Sequence, residues 1–254
     1  MKNKDVKAII IAAGKGSRLR PFTNHLPKGL LKIGKESIIG SQIKNYNLHK
    51  INSINIIIGY KKNCFKFKGV KYFLNNNYKK NNILESLFSA KKVLNGECLI
   101  AYSDIIFKEK ILKNIIKSKF PISIVVDTDW KKNYIGRKYH PYSEAEKAYI
   151  NKKNEIVRIG KDLMLNNSNS EFIGMLKLNN EGCQIFKKYY SLAKKKYKEK
   201  KFFGSVNIQK AYITDFLKYL ISKKIKIYCV KIKSNWREID TTEDLAKAQN
   251  FFKK

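Results

Sequence analysis

The sequence predicts an α/β fold in which a mainly parallel β-sheet is flanked by helices. Up to residue 127, short apolar runs typical of buried strands alternate with amphipathic helical patterns, as in successive β-α-β units. The first apolar run, residues 8–13, ends in a loop that contains Gly14 and Gly16. The chain of 254 residues is long enough for one large domain with an insertion, so we predict a single domain over residues 1–254.

The elements of the first half follow from periodicity and from capping residues. Ser37 can cap the first helix, and a second helix begins at Asn82 and extends to Leu94. A third helix is predicted for residues 109–117. The predicted strands are residues 8–13, 54–58, 70–74, 97–102 and 122–126. Strands that alternate with helices imply parallel pairing with right-handed crossovers.

The pattern changes after Asp127. Residues 128–178 are predicted to be an insertion of antiparallel strands, at 147–150, 156–159 and 172–178, packed beside the sheet as one wall of a cleft. Helices at 181–197 and 208–222 then lead to a strand at 225–232. A last helix begins near Thr242, with Thr241 or Thr242 as its cap.

The charge of the chain is strongly positive. Its formal net charge is +34, from 54 Lys and Arg against 20 Asp and Glu, which by itself suggests a nucleic-acid or anionic-membrane partner. The lysines are scattered along every segment, however, and the densest run, residues 194–201, is interrupted by Tyr197 and Glu199. We therefore expect solvated surfaces and no specific nucleic-acid site. A basic nucleic-acid-binding protein stays open as an alternative of another class.

The cysteine, histidine and hydropathy patterns limit the metal sites, the compartment and the membrane association that we expect. The four cysteines form no CxxC pair and the three histidines lack metal-ligand spacing, so we expect no zinc site and a reduced, cytoplasmic compartment. Lys2, Lys4 and Lys7 precede the apolar residues 8–13 as in a signal peptide, but that run is too short and leads into glycines and arginines. No segment approaches the roughly 20 apolar residues of a membrane span, so no membrane insertion is expected. Homo-oligomerisation is left open.

The loop after the first strand has the composition of a phosphate site. Gly14 and Gly16 let successive backbone N–H groups converge on an anion, and Arg18 and Lys28 supply cations of different reach on either side. The loop is not a Walker A motif, because no GK[ST] triplet closes it, and it lacks the third glycine of GxGxxG. Two cations beside one backbone nest suit a triphosphate better than a single carboxylate.

A resemblance to a known family is carried by residues 8–31, which read AIIIAAGKGSRLRPFT and then LPKGLL. They resemble the start of the nucleoside-triphosphate transferase family, the sugar-1-phosphate nucleotidylyltransferases and their cytidylyltransferase relatives. Further segments are similar to the phosphocholine- and phosphonate-type cytidylyltransferase branch: NILESL from Asn82, YSD from Tyr102, DTDW from Asp127, and WREID from Trp236. The departure is Gly29, where a small non-glycine residue is usual. The family's fold is a Rossmann-like α/β domain, which agrees with the predicted elements.

The resemblance also implies site residues. Asp104 and Asp240, each just after an apolar run, would bind Mg²⁺, which prefers oxygen ligands. Arg18 would hold the leaving pyrophosphate, and Lys28 and Lys161 the acceptor phosphate and the α-phosphate. The nucleotide would be bound by Ala12, Ala13, Gly14, Gly16, Ser17, Asn82 and Ser86. The acceptor would be bound by Asp129, Trp130, Arg137, Glu171 and Trp236, because aromatic faces with carboxylates suit an ammonium group and arginine suits a phosphonate.

The predicted function is a Mg²⁺-dependent cytidylyltransferase. It would move CMP from CTP to a small phosphorylated or phosphonylated acceptor, such as a phosphocholine- or aminoethylphosphonate-like compound, and release pyrophosphate. The insertion would form the acceptor side of the cleft. The nearest alternative is a sugar-1-phosphate nucleotidylyltransferase that uses the same loop to make an NDP-sugar.

Overall fold

The computed structural model describes residues 6–249 and residue 251 of the chain. Lys2 and Lys4 therefore lie outside the described residues. The strands are β1 (Val6–Ala12), β2 (Lys32–Ile33), β3 (Glu36–Ser37), β4 (Ser53–Ile58), β5 (Val70–Leu74), β6 (Glu97–Tyr102), β7 (Ile105–Phe107), β8 (Ile122–Asp127), β9 (Lys147–Ile150), β10 (Ile156–Gly160), β11 (Ser170–Leu178), β12 (Tyr228–Ile232) and β13 (Trp236–Glu238). The α-helices are α1 (Ile38–Leu48), α2 (Ile83–Ser89), α3 (Glu109–Ile116), α4 (Asn180–Lys196), α5 (Ile213–Ser222) and α6 (Thr242–Ala248).

One mixed sheet of nine strands dominates the described part of the chain. Its main order is β10-β9-β11-β6-β1-β4-β5, and β8 pairs with both β11 and β12. The pairs β6-β1, β1-β4, β4-β5 and β8-β12 are parallel, whereas β11 is antiparallel to β6, β8 and β9. The predicted α/β fold class, with parallel strands at the centre and helices on both sides, is confirmed.

Each face of the sheet has its own core. Because side chains alternate along a strand, Ile9 and Ile11 of β1 pack with α2, α4 and α5, while Ala8 and Ile10 pack with α1 and α3. All four side chains are at most 5% exposed. Burying an aliphatic side chain of this size contributes about 1.5–3 kcal/mol, so the two cores fix the position of the strand that carries the glycine loop.

The predicted insertion lies in the main sheet and not beside it. Strand β11 pairs with β6 over Met175–Leu178 and with β8 on its other side, and all nine of its residues are buried. A strand buried on both faces needs hydrogen-bonding partners at both edges, and a central position in the sheet supplies them. The local pattern at 172–178 indicated a strand but carried no information about its neighbours.

Several predicted boundaries were close and others were wrong. Ser37 caps α1 as predicted, and of the two threonines predicted as possible caps it is Thr241 that caps α6. Asn82, where the second helix was predicted to begin, is the N-cap of α2, and each of the three side chains accepts a backbone N–H of the first turn. The second helix ends at Ser89 and not near Leu94, and residues 208–222 divide into a 3₁₀ turn, Ile208–Lys210, and α5. The described residues include no helix long and apolar enough to cross a membrane.

Candidate active site

The candidate site lies at the edge of the sheet where β1 and β6 end and β11 begins. In the parallel pair β1-β6, Ile11 lies opposite Tyr102, so the glycine loop after β1 and Asp104 after β6 emerge at the same edge. Strand β11 is antiparallel to β6, so its first residues, Ser170–Gly174, also reach this edge. The carboxyl edge of an open α/β sheet is where ligands usually bind.

A cleft of about 570 Å³ occupies this edge, and a smaller pocket of about 170 Å³ adjoins it. The cleft is lined by Gly16, Ser17, Arg18, Lys28, Asn82, Ile83, Tyr102, Asp104, Ile105, Glu144, Glu146, Lys161, Glu171, Phe172, Ile173, Gly174, Tyr212, Trp236, Glu238 and Asp240. The adjoining pocket is lined by Ile11, Ala12, Ala13, Gly14, Gly16, Lys28, Gly29, Tyr78, Asn81, Asn82, Ile83, Ser86, Ser103 and Asp104. The two spaces share the glycine loop and Lys28.

The glycine loop makes room for Lys28. Gly16 has φ +61° and precedes the 3₁₀ turn Ser17–Leu19, and its carbonyl accepts the Thr23 hydroxyl at 2.9 Å. A Cβ atom on Gly16 would lie 2.8 Å from Cβ of Lys28. Both the backbone conformation and the space therefore require glycine at this position.

Glycine at position 29, where the family usually has another small residue, also has a steric explanation. A Cβ atom there would lie 2.6 Å from Cδ1 of Ile39 and 3.1 Å from Cβ of Ser103. Ile39 of α1 is fully buried. Glycine at position 29 thus lets α1 and the segment after β6 pack close to Lys28.

Lys28 lies between the two predicted metal ligands. Its Nζ is 2.8 Å from Oδ2 of Asp104 and also contacts Oδ1 of Asp240. Burial would lower the pKa of Lys28, but the two carboxylates outweigh this effect and raise it. Burial also works against the ionised form of Asp240, yet Lys28 and Arg18 hold its pKa below the usual range. One ammonium group therefore neutralises two carboxylates in a position that suits a cation.

Two short strands bring Asp104 and Asp240 together. Strand β7 begins directly after Asp104, β13 ends two residues before Asp240, and Glu238 pairs with Ile105. The backbone N–H of Ile239 donates to the carbonyl of Asp104 at 2.9 Å. This pairing joins segments more than 130 residues apart, and three-residue strands carry no periodicity from which the sequence could predict it.

Helix α6 fixes the backbone of Asp240. Asp244 Oδ2 accepts the backbone N–H groups of Asp240, at 3.1 Å, and Thr241, at 2.9 Å. Arg137 pairs with the same carboxylate through Nε at 2.8 Å and Nη2 at 2.9 Å. The guanidinium also lies over the ring of Tyr134. Arg137 thus supports the backbone at Asp240 through Asp244.

Two further cations lie beside Asp240 and Glu144 in the cleft. Arg18 Nη2 donates to Asp240 Oδ2, and its Nη1 lies 3.6 Å from Oε2 of Glu144. Lys161 Nζ donates to the same Glu144 oxygen at 3.0 Å and lies over the ring of Tyr212. Glu144 therefore holds Arg18 and Lys161 on one side of the cleft.

One end of the cleft is acidic and partly aromatic. Burial raises the pKa of Glu171 to about 8 and that of Glu146 to about 7. Tyr134 donates to Oε1 of Glu171, and Tyr102 donates to Oε2 of Glu146 at 3.2 Å. Oε2 of Glu171 is buried and has no hydrogen-bond partner among the described residues. The unsatisfied oxygen of Glu171 makes this part of the cleft suitable for a hydrogen-bond-donating or cationic group.

Comparison with known proteins decides the family. A family model described as Nucleotidyl transferase matches residues 7–134, which is half of the chain. The chain belongs to the nucleotidyl transferase family. A CTP:phosphoglutamine cytidylyltransferase of Campylobacter jejuni is 29% identical over 252 residues, covering 94% of this chain and 98% of the relative. A choline-phosphate cytidylyltransferase of Streptococcus pneumoniae is 34% identical over 119 residues, covering 45% and 52%.

A solved structure shares the fold of this nucleotidyl transferase. The CTP:phosphocholine cytidylyltransferase of Streptococcus pneumoniae superposes with a TM-score of 0.69 at 22% identity and covers 97% of this chain and 98% of its own. The predicted resemblance to this family, and to its cytidylyltransferase branch, is confirmed.

Most of the residues predicted for the site of the nucleotidyl transferase are brought together. The cleft or the adjoining pocket is lined by Ala12, Ala13, Gly14, Gly16, Ser17, Arg18, Lys28, Asn82, Ser86, Asp104, Lys161, Glu171, Trp236 and Asp240. Their individual roles stay predictions.

Three residues predicted to bind the acceptor lie elsewhere. Trp130 is 1% exposed, with its ring 5.5 Å from Tyr134 between centroids, so it is a core residue. Asp129 pairs with Lys132, and Arg137 pairs with Asp244. The placement of these three side chains in the acceptor site needs correction, because an aromatic and charged sequence pattern does not distinguish a packed cluster from a cleft wall.

Trp236 lines the cleft, and a hydrogen bond to a buried carboxylate fixes its indole ring. Its Nε1 donates to Oδ2 of Asp127 at 2.7 Å, and Asp127 is fully buried. Oδ1 of Asp127 also accepts the backbone N–H of Asp129 at 2.8 Å. Asp127 therefore orients the indole of Trp236 and does not itself face the cleft.

Sequence reasoning missed several lining residues. These are Tyr78, Asn81, Tyr102, Ser103, Glu144, Glu146, Phe172, Tyr212 and Glu238. Glu144 and Glu146, two residues apart on either side of Ala145, offered a signal, because the chain has only 20 acidic residues. Tyr78 and Tyr212 offered none, since the chain contains 15 tyrosines.

Proposed function

We propose that this nucleotidyl transferase moves CMP from CTP to a small phosphorylated or phosphonylated acceptor and releases pyrophosphate in the cytoplasm. The observation that carries the proposal is the meeting of Arg18, Lys28 and Lys161 with Asp104 and Asp240 in one cleft beside a second, smaller pocket. The names of the related cytidylyltransferases support CTP as the donor and a small phosphorylated compound as the acceptor.

The smaller pocket is proposed to take the cytosine base. It is bounded by backbone from β1 and the glycine loop and by Asn82 and Ser86 of the segment that begins α2. The hydroxyl of Ser86 accepts from the Asn75 amide at 2.9 Å and donates to the Asn82 carbonyl at 3.1 Å. These bonds fix polar groups at the pocket wall, as recognition of a base edge requires. The triphosphate then extends along the glycine loop.

Asp104 and Asp240 are proposed to hold Mg²⁺. Two observations fit this assignment: the Lys28 ammonium already occupies a cation position between them, and Oδ1 of Asp104 is buried without a hydrogen-bond partner among the described residues. Both residues supply the oxygen ligands that Mg²⁺ prefers. When bound, Mg²⁺ would neutralise charge on the phosphate oxygens.

The protein's own part in the reaction is positioning and charge neutralisation. An oxygen of the acceptor phosphate or phosphonate attacks the α-phosphorus, and the bond from the α-phosphorus to the bridging oxygen of pyrophosphate breaks. Lys28 and Lys161 hold the acceptor anion and the α-phosphate in line, and Arg18 binds the leaving pyrophosphate. Lys28 and Arg18 exchange their present contacts with Asp240 for contacts with phosphate oxygens.

The acidic end of the cleft is proposed to select the acceptor. Glu146 and Glu171 face the cleft together with Tyr102 and Trp236. Carboxyl groups beside aromatic faces suit an ammonium group or an amide, and a phosphate on the same small molecule would reach Lys161. Phosphocholine, phosphoglutamine and aminoethylphosphonate all have this form.

The test measures pyrophosphate release from each of the four NTPs with a panel of phosphocholine, phosphoglutamine, 2-aminoethylphosphonate and hexose 1-phosphates. We expect turnover with CTP and at least one acceptor that carries an ammonium or amide group. Asp104→Asn should reduce turnover by at least about 100-fold, whereas His25→Asn, an exposed histidine, should not. Turnover with hexose 1-phosphates alone would select the NDP-sugar alternative, and no turnover with any pair would refute the proposal.

A further inference from the structure

We propose that Glu144 is a positioning residue whose carboxylate competes with phosphate for Arg18 and Lys161. The inference rests on the proposed function, in which these two cations bind phosphates of the reaction. Oε2 of Glu144 lies 3.0 Å from Nζ of Lys161 and 3.6 Å from Nη1 of Arg18, so a single oxygen contacts both cations. A phosphate oxygen that bridged the same two cations would have to replace this oxygen.

Glu144 joins two separate elements of the cleft. Lys161 directly follows β10, whose last residue pairs with Lys147, the first residue of β9. This antiparallel hairpin brings Lys161 close to the turn Tyr142–Glu144, which precedes β9. Arg18 belongs to the 3₁₀ turn after the glycine loop. The carboxylate therefore links the hairpin to the glycine loop, as a phosphate bound to both cations would.

The contacts of Glu144 can open at low cost. The Glu144 side chain is 39% exposed, and a hydrogen bond from Lys161 holds its pKa below the usual range, so the carboxylate is ionised at neutral pH. An ion pair this exposed contributes little to stability. Ala145, the next residue, is buried against Trp130, so the backbone can stay in place while the Glu144 side chain turns toward water.

Glu144 differs in this respect from the other carboxylate that contacts Arg18. Asp240 has a side chain that is only 7% exposed, and it also contacts Lys28. Displacing a buried carboxylate leaves a charge without solvation, whereas a half-exposed carboxylate is hydrated when it moves away. Phosphate should therefore displace Glu144 before it displaces Asp240.

The two cations favour phosphate, but Glu144 offsets part of the attraction. Pyrophosphate carries more negative charge than a carboxylate, and arginine binds phosphate through two parallel hydrogen bonds. Glu144 must give up its own ion pairs when phosphate binds, which lowers the net affinity. The return of its carboxylate to Arg18 and Lys161 would then speed the departure of pyrophosphate after the transfer.

The test measures the binding of inorganic pyrophosphate by calorimetric titration, without nucleotide or acceptor, at about 0.15 M salt to screen the surface charge. Glu144→Gln should bind pyrophosphate about fivefold more tightly than the unmodified protein, because the competing charge is lost. Glu144→Asp keeps the charge and should bind it less tightly than Glu144→Gln does. Glu155→Gln is the matched control, because Glu155 pairs with Lys226 and does not line the cleft, and its affinity should be unchanged.

The sign of the change decides between competition and orientation. If Glu144 only held Arg18 and Lys161 in the orientation that phosphate requires, Glu144→Gln would weaken pyrophosphate binding, and that result would overturn the proposal. An unchanged affinity, no binding to Glu144→Gln, or an equal gain in Glu155→Gln would also overturn it. Because the titration contains no nucleotide or acceptor, its outcome is distinct from a failure of the proposed function, which would appear as absence of turnover.

Discussion

At the residue scale, Lys28 connects the parts of the candidate active site. Its ammonium group touches both carboxylates proposed for Mg²⁺, while its stem passes the glycine loop where only Gly16 leaves room. A lysine in this position stabilises two buried carboxylates that would otherwise repel each other. It also means that a metal ion and the Lys28 ammonium cannot occupy the same position between the carboxylates.

Lys28→Met is therefore expected to change metal binding and catalysis in opposite directions. Without the ammonium group, Asp104 and Asp240 should bind Mg²⁺ in the absence of nucleotide about tenfold more tightly, as calorimetric titration would measure. Turnover should fall by roughly 100-fold or more, because the phosphate contact is lost. Lys32→Met, on an exposed lysine nearby, serves as the control for both measurements. Unchanged Mg²⁺ affinity would show that Lys28 does not exclude the ion.

The sequence correctly predicted several residues that line the cleft around Lys28, because they belong to short motifs. Gly16, Arg18, Lys28 and Asp240 lie in motifs whose spacing reflects local geometry. Trp130 was misplaced, because a tryptophan beside charged residues looks the same whether it packs on Tyr134 or faces a ligand. Glu171 and Trp236 were predicted for the site and line the cleft, yet the partners that orient them, Tyr134 and Asp127, are distant in sequence.

At the element scale, helix α6 determines where Asp240 lies. The capping box of Thr241 and Asp244 closes the first turn, and Asp244 extends this network to the backbone of Asp240 and to Arg137. Sequence predicted the helix and its cap because both depend on neighbours within four residues. It missed β7 and β13 because their pairing depends on contacts over more than 130 residues.

Asp244→Asn is expected to shift the backbone of Asp240, although Asp244 itself does not line the cleft. It leaves the buried Arg137 guanidinium without its partner carboxylate, so the free energy of unfolding should fall by about 2–4 kcal/mol. The turnover number should fall while KM for CTP changes little, because no described residue of α6 lines the smaller pocket. Urea unfolding and steady-state kinetics measure the two effects. Glu243→Gln, the adjacent acid on the same turn, should change the free energy of unfolding much less, because an exposed ion pair contributes little to stability. Equal effects of the two substitutions would contradict the positioning role of Asp244.

At the scale of the whole molecule, one end of the cleft is acidic although the net charge of the chain is strongly positive. The chain carries a formal charge of +34, yet one end of its cleft collects Glu146, Glu171 and Glu238. Composition could not predict this, because acids that are few in number still cluster when strands and loops from distant segments meet. The positive exterior should attract CTP at low salt, while the acidic end is proposed to select acceptors by their head groups.

This cluster should make stability depend on pH. Glu171 has an ordinary pKa near 4.5 when unfolded and about 8 when buried in the folded protein, so the folded state binds more protons between these values. Its contribution to stability is complete below pH 4.5 and is lost as pH rises through about 8. His140 acts in the opposite sense, because burial and Arg137 lower its pKa from 6.5 to about 4, but its effect is confined to pH below about 6.5.

The unmodified protein should therefore become less stable between pH 6.5 and 8.5, where Glu171 titrates and His140 stays neutral. Glu171→Gln should remove part of this slope, about 2 kcal/mol across the interval, because an amide does not ionise. Urea unfolding at several pH values measures the slope for each protein. Glu199→Gln, on an exposed carboxylate, should retain the slope of the unmodified protein. If Glu171→Gln and the unmodified protein lost stability equally over this range, Glu171 would already be ionised at neutral pH, and its place as a neutral group at the acidic end of the cleft would have to be abandoned.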